Sequence, residues 1–410
     1  MKILSAAALS FAAIAMSACQ NNSGPEPQTL SAPRAPTYDK GQTFLRTSFF
    51  EALEAYEDAD VKSGRKGFYG QKLSMAGRED ILRQDGVIRP SRFTCDEVVG
   101  DASAPLTEQI LNVIGDAQIV IINEDHKIAR HRETIRAILP DLRDAGFTAY
   151  AAETFSEYTD TMSPDRVTMR DGFYISEPTF GRLVNAAKNL GFTLVPYEQR
   201  DDQTAPEDAD RSARIEARET AQSGNLAAFL SENPDTKILV HVGHSHVAEI
   251  PIPNSRDEGS TEWMASKFKN LTGLDPVTLS QTACKTTAGL PILSDQKRNS
   301  SGATALMLTD YTIAYPVPDE SETRGDWRRA RGDIEVALPE AWVQKNKTKT
   351  LLFEARPISA PDEDVPSDRI LIRESEETLP LLLPPGDYRV NAFDSEGDAE
   401  TPVEITVSKP

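Results

Sequence analysis

The chain has 410 residues, 39% hydrophobic and 26% charged, the balance of a soluble globular protein; its bulk is not a disordered, collagen-like or multi-span membrane chain. At roughly 100 to 200 residues per domain, two or three domains are expected. The 64 acidic residues outnumber the 44 basic ones and leave a formal charge of -20, which repels phosphate backbones, so no nucleic-acid partner is expected.

Met1 and Lys2 form a short basic start, followed by an apolar run too short to span a bilayer but suited to an export signal over residues 1–18. The run ends in Met16-Ser17-Ala18-Cys19, which resembles a bacterial lipobox, with Cys19 as the residue that is lipidated. Met16 stands where leucine is usual, which leaves ordinary signal-peptidase cleavage as the alternative. Gln20 follows the cysteine and, by resemblance to the enterobacterial sorting rule, directs such a protein to the outer membrane. Residues 19–40, rich in Pro, Ser, Asn and Gln, suit a flexible tether. The expectation is an outer-membrane lipoprotein facing the periplasm or the cell surface, touching the membrane through its anchor alone. With Cys19 set aside, Cys95 and Cys284 remain as a disulfide candidate in an oxidising compartment; two separate buried thiols are the alternative.

Residues 41–95 read as a mostly helical extension. Short runs rich in Val, Ile and Leu then recur at 118–123, 147–152, 192–197 and 237–242, each suited to a parallel strand covered on both faces. Helical periodicity fills 130–145, 177–190 and 208–230, and Gly146 and Gly191 sit where helix C-caps are expected. Weaker strands at 277–281 and 303–308 extend the sheet. From about 325 the pattern changes to turn-punctuated alternating runs without helical stretches. The fold class is therefore α/β: an open, mainly parallel sheet flanked by helices over 41–320, followed by a small antiparallel, sandwich-like β domain over 325–410 that reads as an accessory module.

All five histidines fall after two of these strands: His126 and His131 after the first, His241, His244 and His246 at the end of the fourth. The second strand runs into Glu153 and the third into Glu198, so four strands each deliver a polar group to the carboxyl edge, where open parallel sheets bind ligands. Taken singly, Glu198 reads as a solvated strand boundary, His131 as an exposed helix residue and His241 as a hydrogen-bonded core histidine. Taken together, Glu124, His126, Glu153 and His246 read as one site, with His244, Glu198, His131 and Arg218 in support.

The segment Ile122-Asn123-Glu124-Asp125-His126 resembles the GExH motif of the superfamily that joins erythromycin-esterase-type hydrolases, ChaN-type haem-binding lipoproteins and the Tiki and TraB proteins. Gly243-His244-Ser245-His246 is similar to its GxxH motif, Glu153 to the glutamate ending the next strand, and Arg218-Glu219 to an Arg-acidic pair on the helix before the fourth strand. The resemblance spans roughly residues 115–285, with Asn123 in place of the first motif glycine. It implies one of two activities. The first is hydrolysis of an ester or peptide bond in a small-molecule or peptide substrate, with His126 or His246 as general base. A divalent cation (Mn, Zn or Co) held by Glu124, His126, Glu153 and His246 would assist it. The second is haem or metal binding, with Phe155, Tyr158, Phe173 and Tyr174 flanking the haem and a His or Tyr as axial ligand. Specificity is expected from the loops at 155–176 and 199–210.

Overall fold

The computed structural model describes residues 41–58, 65–155, 166–253, 259–295, 308–317, 325–376 and 378–409, which belong to one compact unit. The signal segment 1–18, Cys19 and the tether lie outside these residues, as do Tyr158 and all but the last residue of the strand expected at 303–308. Among the described residues no helix is long and apolar enough to cross a membrane.

The chain enters through α1 (Gly41–Glu57), α2 (Arg65–Met75) and α3 (Glu79–Gln84). Leu45, Phe49 and Leu53 recur every four residues and so share one face of α1, which is buried with Leu73 and Leu82. Thr94 then bridges Lys285, and Cys95 and Cys284 are joined by a disulfide with their Cα atoms 5.9 Å apart. Helix α4 (Leu106–Ile114) leads into the central sheet.

That sheet is built from β1 (Ile119–Glu124), β2 (Phe147–Ala152), β3 (Thr193–Val195) and β4 (Lys237–Gly243). Helices α5 (Ala129–Asp144), α6 (Pro178–Asn189) and α7 (Arg211–Glu232) connect them. After β4 a two-stranded pair, β5 (Ile252–Pro253) and β6 (Ser260–Thr261), precedes α8 (Met264–Thr272) and β7 (Val277–Ser280). The sheet ends with β8 (Lys285–Thr286), β9 (Ile292–Ser294) and β10 (Tyr311–Pro316). Its order is β3-β2-β4-β1-β7-β10-β8, parallel throughout, with β9 antiparallel on β10. The sheet is thus extended by residues 311–316, just beyond the run anticipated at 303–308.

Every residue of β1 is buried because both faces are covered. Val120 and Ile122 pack toward α4, α5 and α6; Ile119 and Ile121 pack toward α7 and α8. Gly146 and Gly191, with φ of 91° and 75°, follow the ends of α5 and α6, where a side chain would be strained.

The C-terminal region holds α9 (Asp326–Arg329), β11 (Ile334–Val336), α10 (Glu340–Lys345), β12 (Leu351–Pro357) and β13 (Asp368–Ile372). It continues with β14 (Leu381–Leu383), β15 (Gly386–Asp394), β16 (Gly397–Asp398) and β17 (Val403–Val407). Strands β13, β12, β15, β16 and β17 form an antiparallel sheet, and β11 pairs with β14. The parity of β12 divides its contacts. Leu351, Phe353 and Ala355 pack toward β11, β14 and Trp342, whereas Leu352 joins Leu371 and Phe393 against α1 to α3. The sheet that reads as an accessory from sequence therefore shares its core with the N-terminal helices.

Candidate functional site

Strand register sets the site. In the β1–β4 pairing Glu124 lies opposite Gly243, and in the β2–β4 pairing Ala152 lies opposite His241, so Glu153 emerges at the same carboxyl edge. The Glu153 N–H donates to the His241 carbonyl at 3.0 Å, which continues the ladder by one residue and holds the Glu153 backbone in place.

Glu124 is almost fully buried, and Arg132 on α5 meets both its oxygens, Nε to Oε2 at 2.7 Å and Nη2 to Oε1 at 2.8 Å. Burial alone would raise the carboxyl pKa; Arg132, His241 and His126 instead hold it well below the usual carboxylate range. His126 Nδ1 lies 2.7 Å from Glu124 Oε1. A carboxylate only accepts, so Nδ1 carries the proton that faces Glu124, and Nε2 is the ring nitrogen turned toward Gly243.

The second histidine repeats this device from the other side. His246 Nδ1 lies 2.8 Å from Oε2 of Glu219 on α7, an oxygen that also accepts the Met264 N–H at 2.9 Å. Its Nε2 lies 3.7 Å from Glu153 Oε1 and 3.4 Å from Arg218 Nη1. Burial pulls the His246 pKa down, but Glu153 and Glu219 outweigh it and raise it. Arg218 Nη2 in turn donates to Glu153 Oε1 and to Glu198 Oε2, both at 2.6 Å. Glu153 Oε2 accepts the Gly243 N–H at 2.5 Å. Burial opposes the ionised form of Glu153, yet His246, His126 and Arg218 depress its pKa.

Two glycines make room for this arrangement. A Cβ on Gly243 would stand 2.4 Å from His126 Nε2 and 2.8 Å from Glu153 Oε2, so any side chain there would push the imidazole and carboxylate apart. A Cβ on Gly172 would lie 1.8 Å from the Thr154 carbonyl oxygen. That close approach lets Tyr174 donate its backbone N–H to Thr154 Oγ1 and lay its ring on His126, with centroids 3.9 Å apart and planes 10° apart.

The remaining residues expected at the site take other positions. His131 is buried in the first turn of α5, where its Nδ1 accepts the Asp125 N–H at 3.0 Å and its ring stacks on Tyr315. It does not reach the cleft, because its acceptor is occupied by the turn that follows β1. His244 stands edge-on to His126, ring centroids 5.5 Å apart, with 48% of its side chain exposed and its Nε2 3.7 Å from Asp125 Oδ1. Glu198 sits at the rim as the second carboxylate on Arg218. His241 is buried between Tyr150 Oη at 2.9 Å and Glu124 Oε2 at 3.1 Å, inside the sheet.

The four-ligand cation site expected from sequence does not form in this geometry. Both oxygens of Glu124 pair with Arg132, Glu153 is held by Arg218 and Gly243, and each histidine Nδ1 faces a glutamate. Among the described residues no group of three or more His, Cys, Asp or Glu side chains could hold a metal ion. The expected aromatic haem slot is likewise divided. Phe155 is in the core beneath the sheet and Phe173 packs toward the N-terminal helices, leaving Tyr174 on the cleft. A cavity of about 40 Å³ lies at the N-terminal ends of α5 and α6, lined by Ser74, Glu79, Ala129, Glu177 and Arg369, with no histidine in its wall.

Arg132 was not singled out from sequence, Tyr174 entered only as part of the expected haem slot, and Gly243 and Glu219 entered only through the family resemblance. A signal existed for two of them. Arg132 shares the buried face of α5 with Ile135, Leu139 and Leu142, and Glu219 that of α7 with Gln222, Leu226 and Leu230. A charge on a core-facing helical stripe requires a buried partner.

No protein-family description and no curated protein matches the sequence. Among solved structures the chain is similar to the type III effector HopBA1, at 13% identity over 56% of this chain and 97% of that one, with a TM-score of 0.35. It is similar to ChaN of Campylobacter jejuni, which binds haem cofacially, at 11% identity over 52% and 93%, TM-score 0.32. RRSP, a MARTX toxin effector domain from Vibrio vulnificus, matches at 11% identity over 67% of this chain, TM-score 0.32, and the chain spans only 47% of that structure. Likenesses this distant assign neither family nor function.

Proposed function

We propose that this chain is an envelope lipoprotein that hydrolyses an ester or peptide bond through its paired Glu–His groups, without a metal ligated by the four residues named from sequence. One observation carries the reading: two imidazoles, each oriented through Nδ1 by a buried glutamate, both lie against Glu153. In this reading His126 Nε2 takes a proton from water as the oxygen attacks the carbonyl carbon. Arg218 Nη1 faces the developing oxyanion, and protonated His246 gives its Nε2 proton to the leaving oxygen or nitrogen as the carbon–heteroatom bond breaks. The proton on His126 then returns through solvent to His246, restoring both rings. Glu153 aligns Arg218 and favours the charged form of His246. Tyr174 shields one face of His126. Membrane attachment would come from Cys19 alone.

A panel of esters and peptides tests the proposal. Glu153→Gln and His126→Ala should each lower turnover by roughly two to four orders of magnitude with folding intact. Full activity in either variant would overturn the Glu–His mechanism, and no turnover by the wild-type chain together with a saturable Soret shift on haem titration would replace hydrolysis by haem binding.

A further inference from the structure

His244 has a φ of 32°, one of two non-glycine residues with positive φ among the described residues. A histidine holds this conformation only where its surroundings impose it. Its ring stands edge-on to His126, centroids 5.5 Å apart, with nearly half of the side chain exposed, and makes no short hydrogen bond among the described residues. Its carbonyl is held instead: Asn123 Nδ2 donates to His244 O at 2.7 Å, and to Thr282 Oγ1 at 3.2 Å. The other end of the same amide, Oδ1, accepts the Gln281 N–H at 2.7 Å, and Gln281 Nε2 donates back to the Asn123 carbonyl at 2.7 Å. A backbone donor on one side and a backbone acceptor on the other fix which way the amide points. Asn123 is 1% exposed, in the middle of the sheet, and its side chain ties the end of β1 to the ends of β4 and β7. His244 also opens the short 3-10 turn to Val247 that carries His246.

We propose that Asn123 is a positioning residue: by clamping the His244 carbonyl it imposes the left-handed turn that aims His246 at Glu219 and into the cleft. A glycine at 123, the residue of the GExH motif, has no side chain with which to do this. Released, His244 would relax toward negative φ and rotate the residues that follow it, carrying His246 away from Glu219. The inference rests on the hydrolase reading only for its kinetic consequence; the geometric claim stands by itself.

A double-mutant cycle tests it. Asn123→Ala is made in the wild-type chain and in the His244→Gly chain, where glycine takes positive φ without penalty. Two quantities are read: the downfield proton signal of His246 Nδ1–H on Glu219, assigned by its loss in His246→Ala, and kcat and KM on the best ester. In the wild-type background Asn123→Ala should abolish the signal and lower kcat by about tenfold to a hundredfold with little change in KM, the effect of an ångström-scale misplacement. In the His244→Gly background the same change should keep the signal and alter kcat by less than about threefold. Equal losses in both backgrounds, or an unchanged signal in Asn123→Ala, would overturn the proposal. If Asn123→Ala does not fold, Asn123→Ser, too short to reach the carbonyl, replaces it in the same cycle. If no substrate is turned over, the hydrolase reading fails while the proton signal still decides the role of Asn123.

Discussion

At the scale of single residues, the two histidines of the cleft differ in what surrounds them. His246 faces three charges, Glu219, Glu153 and Arg218, and the two carboxylates prevail to raise its pKa. An acid of raised pKa is active below that pKa, so in the proposed reaction the rate falls as pH climbs through it. Glu219→Gln removes the carboxylate on Nδ1 and weakens that support, which shifts the alkaline limb of kcat/KM to lower pH. The maximal rate should also drop by about tenfold or more, as for loss of an oriented acid. A pH–rate profile of the variant against the parent checks both effects; an unmoved limb would remove His246 from the role of acid. Residue identity alone could indicate a histidine here. It could not indicate which ring nitrogen remains free, because that depends on a glutamate 27 positions away.

At the scale of elements, the junction between the C-terminal sheet and α1 is ionic at its centre. Glu354 on β12 is fully buried and meets Arg369 Nε at 2.6 Å, Arg356 Nη2 at 2.8 Å and Arg46 at 3.0 Å. Burial would raise its pKa, but the three arginines hold it far below the ordinary range. Glu354→Gln keeps the shape and removes a charge in contact with all three guanidiniums. Removing one partner of a buried ion cluster typically costs about 3 to 5 kcal/mol, so denaturant midpoints should fall accordingly. The equivalent change at Glu153 should cost much less, since Arg218 keeps Glu198 and is 36% exposed. Similar midpoints for the two variants would show that the Glu354 cluster does not hold the sheet to the helix. The alternation of β12 was legible as a strand, but its burial on both faces was not. Leu-Leu-Phe-Glu-Ala-Arg carries charges at positions that read as solvent-facing, and they are instead covered by α1 and neutralise one another.

At the scale of the whole molecule, acid sensitivity follows from groups whose folded pKa is depressed. His131, buried as a neutral acceptor, has its pKa lowered by burial to about 3. An unfolded histidine titrates near 6.5, so above that pH its contribution to stability is fully present. Below it the unfolded chain takes up a proton that the native chain refuses, and stability declines by up to about 1.4 kcal/mol per pH unit until the folded value is reached. Glu124, Glu153 and Glu354 are depressed as well, so their share is present above the unfolded carboxylate range and is lost only under stronger acid. His131→Gln keeps an acceptor for the Asp125 N–H without the titration. Its urea midpoint should vary less between pH 4.5 and 6.5 than that of the parent; parallel curves would show that His131 is not neutral in the fold. The broader division between pattern and packing has the same origin. Apolar runs with a polar residue at each end determined the parallel sheet, its helical layers and the placing of Glu124, Glu153 and His246 on one edge, because strand direction and crossover connections leave those ends no other side. Only the tertiary structure decided that His131 faces away and that Arg132 and Glu219 are the hidden partners of the cleft. It also decided that the carboxylates bind arginines in place of a cation. Those choices turn on hydrogen-bond distances between elements more than a hundred residues apart, and a one-dimensional pattern carries no distance across a fold.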